Sequence, residues 1–161
     1  MTFNIRNVVP ADLDAVAQLE AACFSPETAA TRDALDYRIR TFPERFLVAE
    51  QNGEIIGLIN GCASNLPAIA DELYGLQGHN PAGKHQMVFG LAVREACRCR
   101  GVGAALMSAL IDFCRKTGME RMILTCREEK ISYYEEFGYV NHGVSLSCHG
   151  GVVWYNMILI L

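Results

Sequence analysis

Two arginines and two glycines lie close together, just before a segment with helical periodicity. Arg98 and Arg100 are followed by Gly101 and Gly103. Because glycine has no Cβ, an anionic group can approach the first backbone amides of a helix that begins here. A helix N-terminus attracts negative charge, and the two guanidinium groups add to that attraction. The spacing predicts a phosphate-binding turn, with a purely structural turn as the alternative.

The segment after the glycines has the pattern of an amphipathic helix. Its apolar residues recur every three or four positions, at Val102, Leu106, Ala109, Leu110, Phe113 and Cys114. Gly118 follows two cations, which is typical of a helix C-terminus. Residues 87–93, before the turn, form an apolar run that predicts a buried strand. Strand, turn and helix make up the unit that the rest of the chain must position.

Other glycine-rich phosphate sites fit these residues less well. A Walker A loop needs Gly-Lys-Ser/Thr, which is absent. A Rossmann fingerprint needs its first glycine directly after the strand, whereas about seven residues separate Val93 from Gly101. Glu128 follows the next strand and could take the place of the ribose-binding acid, so this alternative stays open.

Composition restricts the class of protein. The chain has 161 residues, a net charge of −4 and seven cysteines, so we expect one domain over residues 1–161 and no general nucleic-acid binding. Cys97 and Cys99 are too closely spaced for a zinc knuckle, and we expect no metal. Cys62, Cys114 and Cys126 lie in apolar runs and are expected in the core. The first residues lack a signal peptide and no run could span a membrane, so we expect a cytoplasmic protein without membrane contact.

Local patterns predict the remaining elements. A strand over residues 3–9 precedes a helix with Leu13, Val16 and Leu19 on its buried face. A weaker helix is expected over 28–41. Asn52-Gly53 between two apolar runs predicts a hairpin of strands 45–51 and 54–63. Residues 64–84 form a long connection, either functional or simply solvated, with a possible short helix over 69–74. A strand over 121–126, a helix over 131–137 and a hairpin of strands 139–147 and 152–161 complete the chain.

This order predicts an α/β fold with a single mixed, mostly antiparallel sheet of about seven strands and about four helices. The unit from residue 87 to 126 should be a parallel β-α-β crossover. The apolar last strand could pair across a homodimer.

The string that begins Arg98-x-x-Gly101-x-Gly103 resembles the acetyl-CoA-binding motif of the GCN5-related N-acetyltransferase (GNAT) superfamily. The element order is also that of the GNAT fold. The resemblance implies that acetyl-CoA is the cosubstrate and that its pyrophosphate binds the turn, whose residues are Arg98, Cys99, Arg100, Gly101, Val102, Gly103 and Ala104. It also implies that the pantetheine arm pairs with the backbone of a strand that splays from its neighbour, at Leu91, Ala92 and Val93.

A second string, from Tyr133 to Tyr139, resembles the GNAT segment whose second aromatic residue is a tyrosine beside the CoA sulfur. That position is Tyr134 here. Aminolysis of a thioester expels a thiolate, which a phenol can stabilise. The alternative is that both tyrosines are packing residues, an interpretation that we favour for Tyr133.

Three segments, residues 76–83, 124–126 and 134–138, carry a further resemblance. Through them the last hundred residues or so resemble arylalkylamine (serotonin-type) N-acetyltransferases within the superfamily. Those enzymes carry two histidines on the central strand, where this chain has Met87 and Phe89, so their base cannot be carried over. His85 should point to the same side of the strand as Met87 and is a candidate base. Glu128 and a water chain to bulk solvent are alternatives.

The sequence thus predicts an acetyl-CoA-dependent transfer to a primary amine, with a small amine, arylalkyl or other, as acceptor. Alternatives are protein N-terminal or lysine acetylation, and an acyl-CoA-binding protein without catalysis. Cys97 or Cys99 could form a covalent acyl intermediate, but neither has an expected activating partner.

Overall fold

The computed structural model describes all 161 residues, Met1–Leu161. The chain folds into two compact units, each assembled from two separate segments. The first unit comprises residues 1–61 and 90–110, and the second comprises residues 62–89 and 111–161. No helix combines the length and the hydrophobicity needed to span a bilayer.

The first unit contains a four-stranded sheet in the order β1-β2-β3-β6. Its elements are β1 (Asn4–Asn7), α1 (Leu13–Cys23), α2 (Arg32–Thr41), β2 (Phe46–Gln51), β3 (Glu54–Asn60) and β6 (Gly90–Val93). All its strand pairs are antiparallel. Helix α3 (Val102–Lys116) begins in this unit and ends in the second.

The predicted Asn52-Gly53 hairpin is confirmed. Asn52 and Gly53 have φ values of +52° and +79°, the left-handed pair that a two-residue turn between twisted strands needs. Helix α2 begins later than expected, at Arg32, because the Thr31 hydroxyl oxygen accepts the Ala34 N–H (3.1 Å) and caps it there. The core of the unit is formed by side chains from both helices and from strands β2, β3 and β6, including Val16, Leu19, Leu35, Ile39, Phe46, Val48, Leu58 and Ala92.

The second unit contains a five-stranded sheet in the order β4-β5-β7-β9-β8. Its elements are β4 (Ala63–Ser64), β5 (His85–Val88), β7 (Arg121–Cys126), α4 (Ile131–Glu135), β8 (Val140–Val144) and β9 (Tyr155–Ile160). Strands β5 and β7 are parallel, as the crossover predicted, and the other pairs are antiparallel. The short helix expected over 69–74 is a 3-10 turn, Asp71–Tyr74. Cys62, Cys114 and Cys126 are buried, as expected.

The predicted α/β fold with about four helices and mostly antiparallel strands is confirmed, but its strands form two sheets, of four and five strands, and not a single sheet of about seven. The expected strand over 87–93 is broken at Phe89, so that β5 pairs in the second sheet and β6 in the first. Apolar periodicity cannot reveal such a break, because strands on either side of it are equally apolar. The last strand, β9, cannot pair with a second copy of the chain, because it already pairs with β7 on one side and with β8 on the other. The strand at that edge of the sheet is β8.

Candidate active site

The turn that leads into α3 has the geometry of an anion site. Ala105 N–H makes the first intrahelical hydrogen bond, to Gly101 C=O (2.9 Å). The amides of Val102, Gly103 and Ala104 therefore precede the helical ladder and have no intrahelical acceptor. Val102 is buried, whereas Gly103 is half-buried and Ala104 is exposed. Gly101 has a φ of +84°, and a Cβ placed there would meet no atom within 4 Å. The space beside Gly101 is therefore open.

Gly57 holds the start of α3 close to the sheet. A Cβ placed on Gly57 would lie 3.0 Å from both Val102 Cγ1 and Leu106 Cδ1, and 3.3 Å from the Ala92 carbonyl oxygen. These distances are shorter than ordinary carbon–carbon contacts. The helix can approach β3 this closely only because the residue beneath it lacks a side chain. The position of the amides thus depends on a glycine 45 residues away in sequence, from Gly57 to Val102.

Of the two arginines, Arg98 has polar partners within its own unit. Its Nε donates to the Val93 carbonyl oxygen (3.0 Å), and its Nη2 contacts Cys23 Sγ (3.7 Å). These contacts tie the turn to the end of β6 and leave Nη1 for an anion. Arg100 and Cys99 are exposed on the same turn, and Cys99 has a φ of +58°. Cys97, in contrast, is buried.

Strand β6 is an edge strand whose outer side can pair with an extended ligand. It pairs with β3 alone. Arg94 N–H donates to Ile56 C=O of β3 (2.8 Å). In an antiparallel pair every second residue directs its N–H and C=O toward the partner strand, so Ala92 and Gly90 also direct theirs toward β3. Those of Leu91 and Val93 face outward. The Val93 carbonyl is already bonded to Arg98, which corrects the expectation that all backbone groups of residues 91–93 are free.

A groove of about 600 Å³ lies between α1, the hairpin of β2 and β3, and the residues after β6. Its charged walls are largely neutralised by ion pairs, Arg6 with Asp12 (2.8 Å) and Arg94 with Glu54 (2.6 Å). Such paired walls offer little net attraction to an anion. The groove is therefore a weaker phosphate site than the turn.

Tyr134 lies in an aromatic cluster of the second unit. Its ring makes edge-to-face contacts with Tyr133 (centroids 5.1 Å apart) and Tyr139 (5.9 Å), while Tyr133 also contacts Phe137. Burial raises the pKa of the Tyr134 hydroxyl well above its usual range, with further contributions from Tyr133 and Cys126. The phenol is therefore protonated at neutral pH and can donate a hydrogen bond. Tyr133 packs as expected.

His85 lies half-buried at the start of β5. Its Nδ1 lies 2.8 Å from the Leu66 carbonyl oxygen, so the neutral ring donates from Nδ1 and keeps a lone pair on Nε2. Met87, two residues on, is fully buried. His85 thus has the tautomer that a base requires. Nowhere in the chain do three or more His, Cys, Asp or Glu side chains cluster as metal ligands would.

A second aromatic cluster joins the 64–84 connection to the β8–β9 hairpin. Tyr74 stacks on His149 (ring centroids 4.3 Å apart, rings 17° from parallel) and contacts the ring of Phe89 (centroids 5.3 Å apart). The Tyr74 hydroxyl oxygen lies 3.2 Å from the Thr125 hydroxyl oxygen. Trp154 Nε1–H donates to the His149 carbonyl (2.8 Å). Asp71 accepts hydrogen bonds from the Ser147 hydroxyl and the Cys148 N–H. The sequence patterns missed this cluster because its members come from loops without periodicity.

Comparison with known proteins shows the family of this chain. Residues 13–139 match the model of the acetyltransferase (GNAT) family. The chain belongs to this family. An uncharacterized N-acetyltransferase of Bacillus subtilis (strain 168), YkwB, is 30% identical over 133 residues, which cover 75% of this chain and 59% of the relative. The chain thus matches about three fifths of the length of that relative.

Solved structures share the fold over nearly the full chain. The loading GNATL domain of CurA from Lyngbya majuscula superposes with a TM-score of 0.86 at 13% identity, covering 99% of this chain and 98% of that one. The GphF GNAT-like decarboxylase, solved in complex with isobutyryl-CoA, gives a TM-score of 0.81 at 24% identity, covering 98% of each chain. At these identities the likeness shows the GNAT fold alone.

Proposed function

We propose that the protein transfers an acetyl group from acetyl-CoA directly to a small primary amine. The observation that carries the proposal is the run from the outer edge of β6 into the turn before α3. An extended pantetheine arm can pair with the outward N–H and C=O of Leu91 and the outward N–H of Val93. The pyrophosphate would then accept hydrogen bonds from the amides of Val102, Gly103 and Ala104, with Arg98 and Arg100 adding positive charge.

The environment of Tyr134 indicates how its hydroxyl can assist the departure of the CoA thiolate. A thiol has a reference pKa of about 8.5 and a phenol one of about 10, and burial moves the Tyr134 pKa further upward. Proton transfer from Tyr134 to the leaving thiolate is therefore uphill. We infer that the hydroxyl stabilises the developing charge on sulfur by donating a hydrogen bond.

The acceptor that we propose is a small amine with an aromatic ring. The support is the cluster of Tyr74, Phe89, His149 and Trp154, which offers aromatic surfaces of the kind that stack on such a ring. The contacts of Asp71 with Ser147 and Cys148 hold the two loops together. Loops joined in this way favour a compact acceptor over a long peptide, which is the alternative class of acceptor.

The first experiment measures thermal unfolding with and without acetyl-CoA. A ligand that binds only the folded state at 100 times its dissociation constant stabilises it by about 2.7 kcal/mol. Gly103→Asp should abolish this shift, because its carboxylate repels the pyrophosphate. The same carboxylate suits a helix N-terminus, so the helix itself should remain stable. Gly103→Asn is the matched neutral control and should keep most of the shift.

The second experiment incubates the protein with acetyl-CoA and either phenylethylamine or an alanine-initiated peptide. Release of free CoA thiol and the mass of the acetylated product identify the acceptor class. Acetylation of the peptide alone would favour a protein acetyltransferase. A thermal shift without transfer to either acceptor would refute catalysis and leave an acyl-CoA-binding protein.

A further inference from the structure

Helix α1 carries a carboxylate on its buried face. The Glu20 side chain is 4% exposed. Its Oε1 accepts the Ala30 N–H (2.9 Å), whereas its Oε2 is buried without a hydrogen-bond partner. Leaving such an oxygen unsatisfied is costly, so native proteins rarely do it without a reason. Glu20 therefore has an acceptor directed at something that binds.

Asn60, at the end of β3, is the second buried group with an unsatisfied atom. Its Oδ1 accepts from Arg38 Nη1 (2.9 Å), and its Nδ2 has no partner. Arg38 can only donate, which fixes the orientation of the Asn60 amide. The unsatisfied atom of Asn60 is thus a donor, while that of Glu20 is an acceptor.

The two unsatisfied atoms converge on Gly90. A Cβ placed on Gly90 would lie 3.7 Å from Glu20 Oε2 and 3.9 Å from both Asn60 Nδ2 and Phe24 Cε2. Both polar atoms therefore lie on the side of Gly90 that a side chain would occupy in any other residue. An acceptor next to a donor suits a group that can both donate and accept hydrogen bonds, as an amino group or a water molecule does.

Gly90 is also where the reacting end of the cosubstrate belongs, a step that rests on the proposed function. The pyrophosphate binds after β6, and the pantetheine arm runs back along the strand. The four residues of β6 span about 13 Å at about 3.3 Å per residue. An arm that extends back along the strand therefore points toward its first residue, Gly90.

We propose that Glu20, rather than His85, is the catalytic base that takes the proton of the acceptor amine at Gly90 through a water molecule, which accepts a hydrogen bond from Asn60 Nδ2 and donates one to Glu20 Oε2. The ammonium loses one proton to Oε2. The nitrogen lone pair forms the C–N bond to the thioester carbon, the C–S bond breaks, and its electron pair leaves on sulfur. A second proton passes from nitrogen to sulfur to give the CoA thiol, and Glu20 releases its proton to solvent.

The electrostatic environment supports this role. Burial raises the pKa of Glu20, and the Ala30 N–H and the positive charge of Arg38 on α2 oppose the rise. A carboxylate whose pKa moves toward neutrality is a better proton acceptor at physiological pH. The sequence already indicates that Glu20 is unusual, because it follows Val16 by four residues and so lies on the apolar face of its helix.

The Glu20→Gln variant distinguishes a catalytic role of Glu20 as a base from a structural role as a hydrogen-bond acceptor. The amide keeps an oxygen for the Ala30 N–H but cannot take a proton. We expect turnover with phenylethylamine and acetyl-CoA to fall about 100- to 10,000-fold, with the acetyl-CoA thermal shift unchanged and the acidic limb of the pH profile lost. Glu20→Asp should recover part of the turnover, because it restores a carboxylate one methylene shorter. Glu44→Gln, which neutralises an exposed acid, is the control and should leave turnover unchanged.

The outcomes distinguish this role from the proposed function. If the wild-type protein transfers acetyl groups and Glu20→Gln does so at the same rate with the same pH profile, Glu20 is not the base. Equal loss in the Gln and Asp variants together with a lost acetyl-CoA shift would show a structural role and overturn the proposal. If the wild-type protein binds acetyl-CoA but acetylates no amine, the proposed function fails and this role fails with it.

Discussion

Replacing Gly57 with alanine tests whether the packing of α3 against β3 positions the cosubstrate amides. The added methyl group would lie 3.0 Å from Val102 Cγ1 and Leu106 Cδ1, whereas carbon contacts are normally about 3.5–4.0 Å. The first turn of α3 must then move away by about 0.5 Å. Overpacking of this kind costs about 1–3 kcal/mol of folding free energy.

The same displacement should weaken acetyl-CoA binding. Amide hydrogen bonds to a charged group contribute about 1.5–3 kcal/mol each, and lengthening several of them by about 0.5 Å should cost about 1.4 kcal/mol, which is a tenfold loss of affinity. Isothermal titration with acetyl-CoA measures the affinity, and urea unfolding measures the stability.

A double-mutant cycle makes the test specific. Val102→Ala removes one of the two clashing methyl groups and should recover part of both losses when combined with Gly57→Ala. Unchanged affinity in Gly57→Ala, or strictly additive effects in the double variant, would refute the idea that this contact positions the turn.

Two further predictions follow from the phenol cluster and from an ion pair. Tyr134→Phe should lower kcat and leave the dissociation constant for acetyl-CoA nearly unchanged, with Tyr133→Phe as a control that keeps kcat; equal kcat values in wild type and Tyr134→Phe would remove the assigned role. Arg6 holds the pKa of Asp12 below its usual value, aided by the Val9 N–H and opposed by burial, so this carboxylate stabilises the fold above its unfolded pKa of about 3.9. Asp12→Asn should therefore lower the free energy of unfolding by about 1.5–3 kcal/mol at pH 7. The difference in stability between wild type and variant should vanish as the pH falls through the folded-state pKa of Asp12. Urea unfolding across this pH range measures it, and a difference that persists in acid would contradict the assignment.

The sequence by itself determined most of the elements and the glycine turn before α3. Local rules place the hairpin at Asn52-Gly53, the amphipathic α3 and the stop at Gly118, because each depends on residues within a few positions of one another. The same holds for the amides after Gly101, since a helix N-terminus is a local structure. The family resemblance of this turn agreed with the match over residues 13–139.

Only the tertiary structure decided how the apolar strands divide into two sheets. The break at Phe89 depends on which partner each half of the strand finds, and pairing partners are distant in sequence. The close approach of α3 to Gly57 has the same origin. So does the convergence of Glu20 and Asn60 on Gly90, because residues that are 30 to 70 positions apart meet there. A residue pattern reports which face of an element is buried, but not which atoms of another element lie opposite that face.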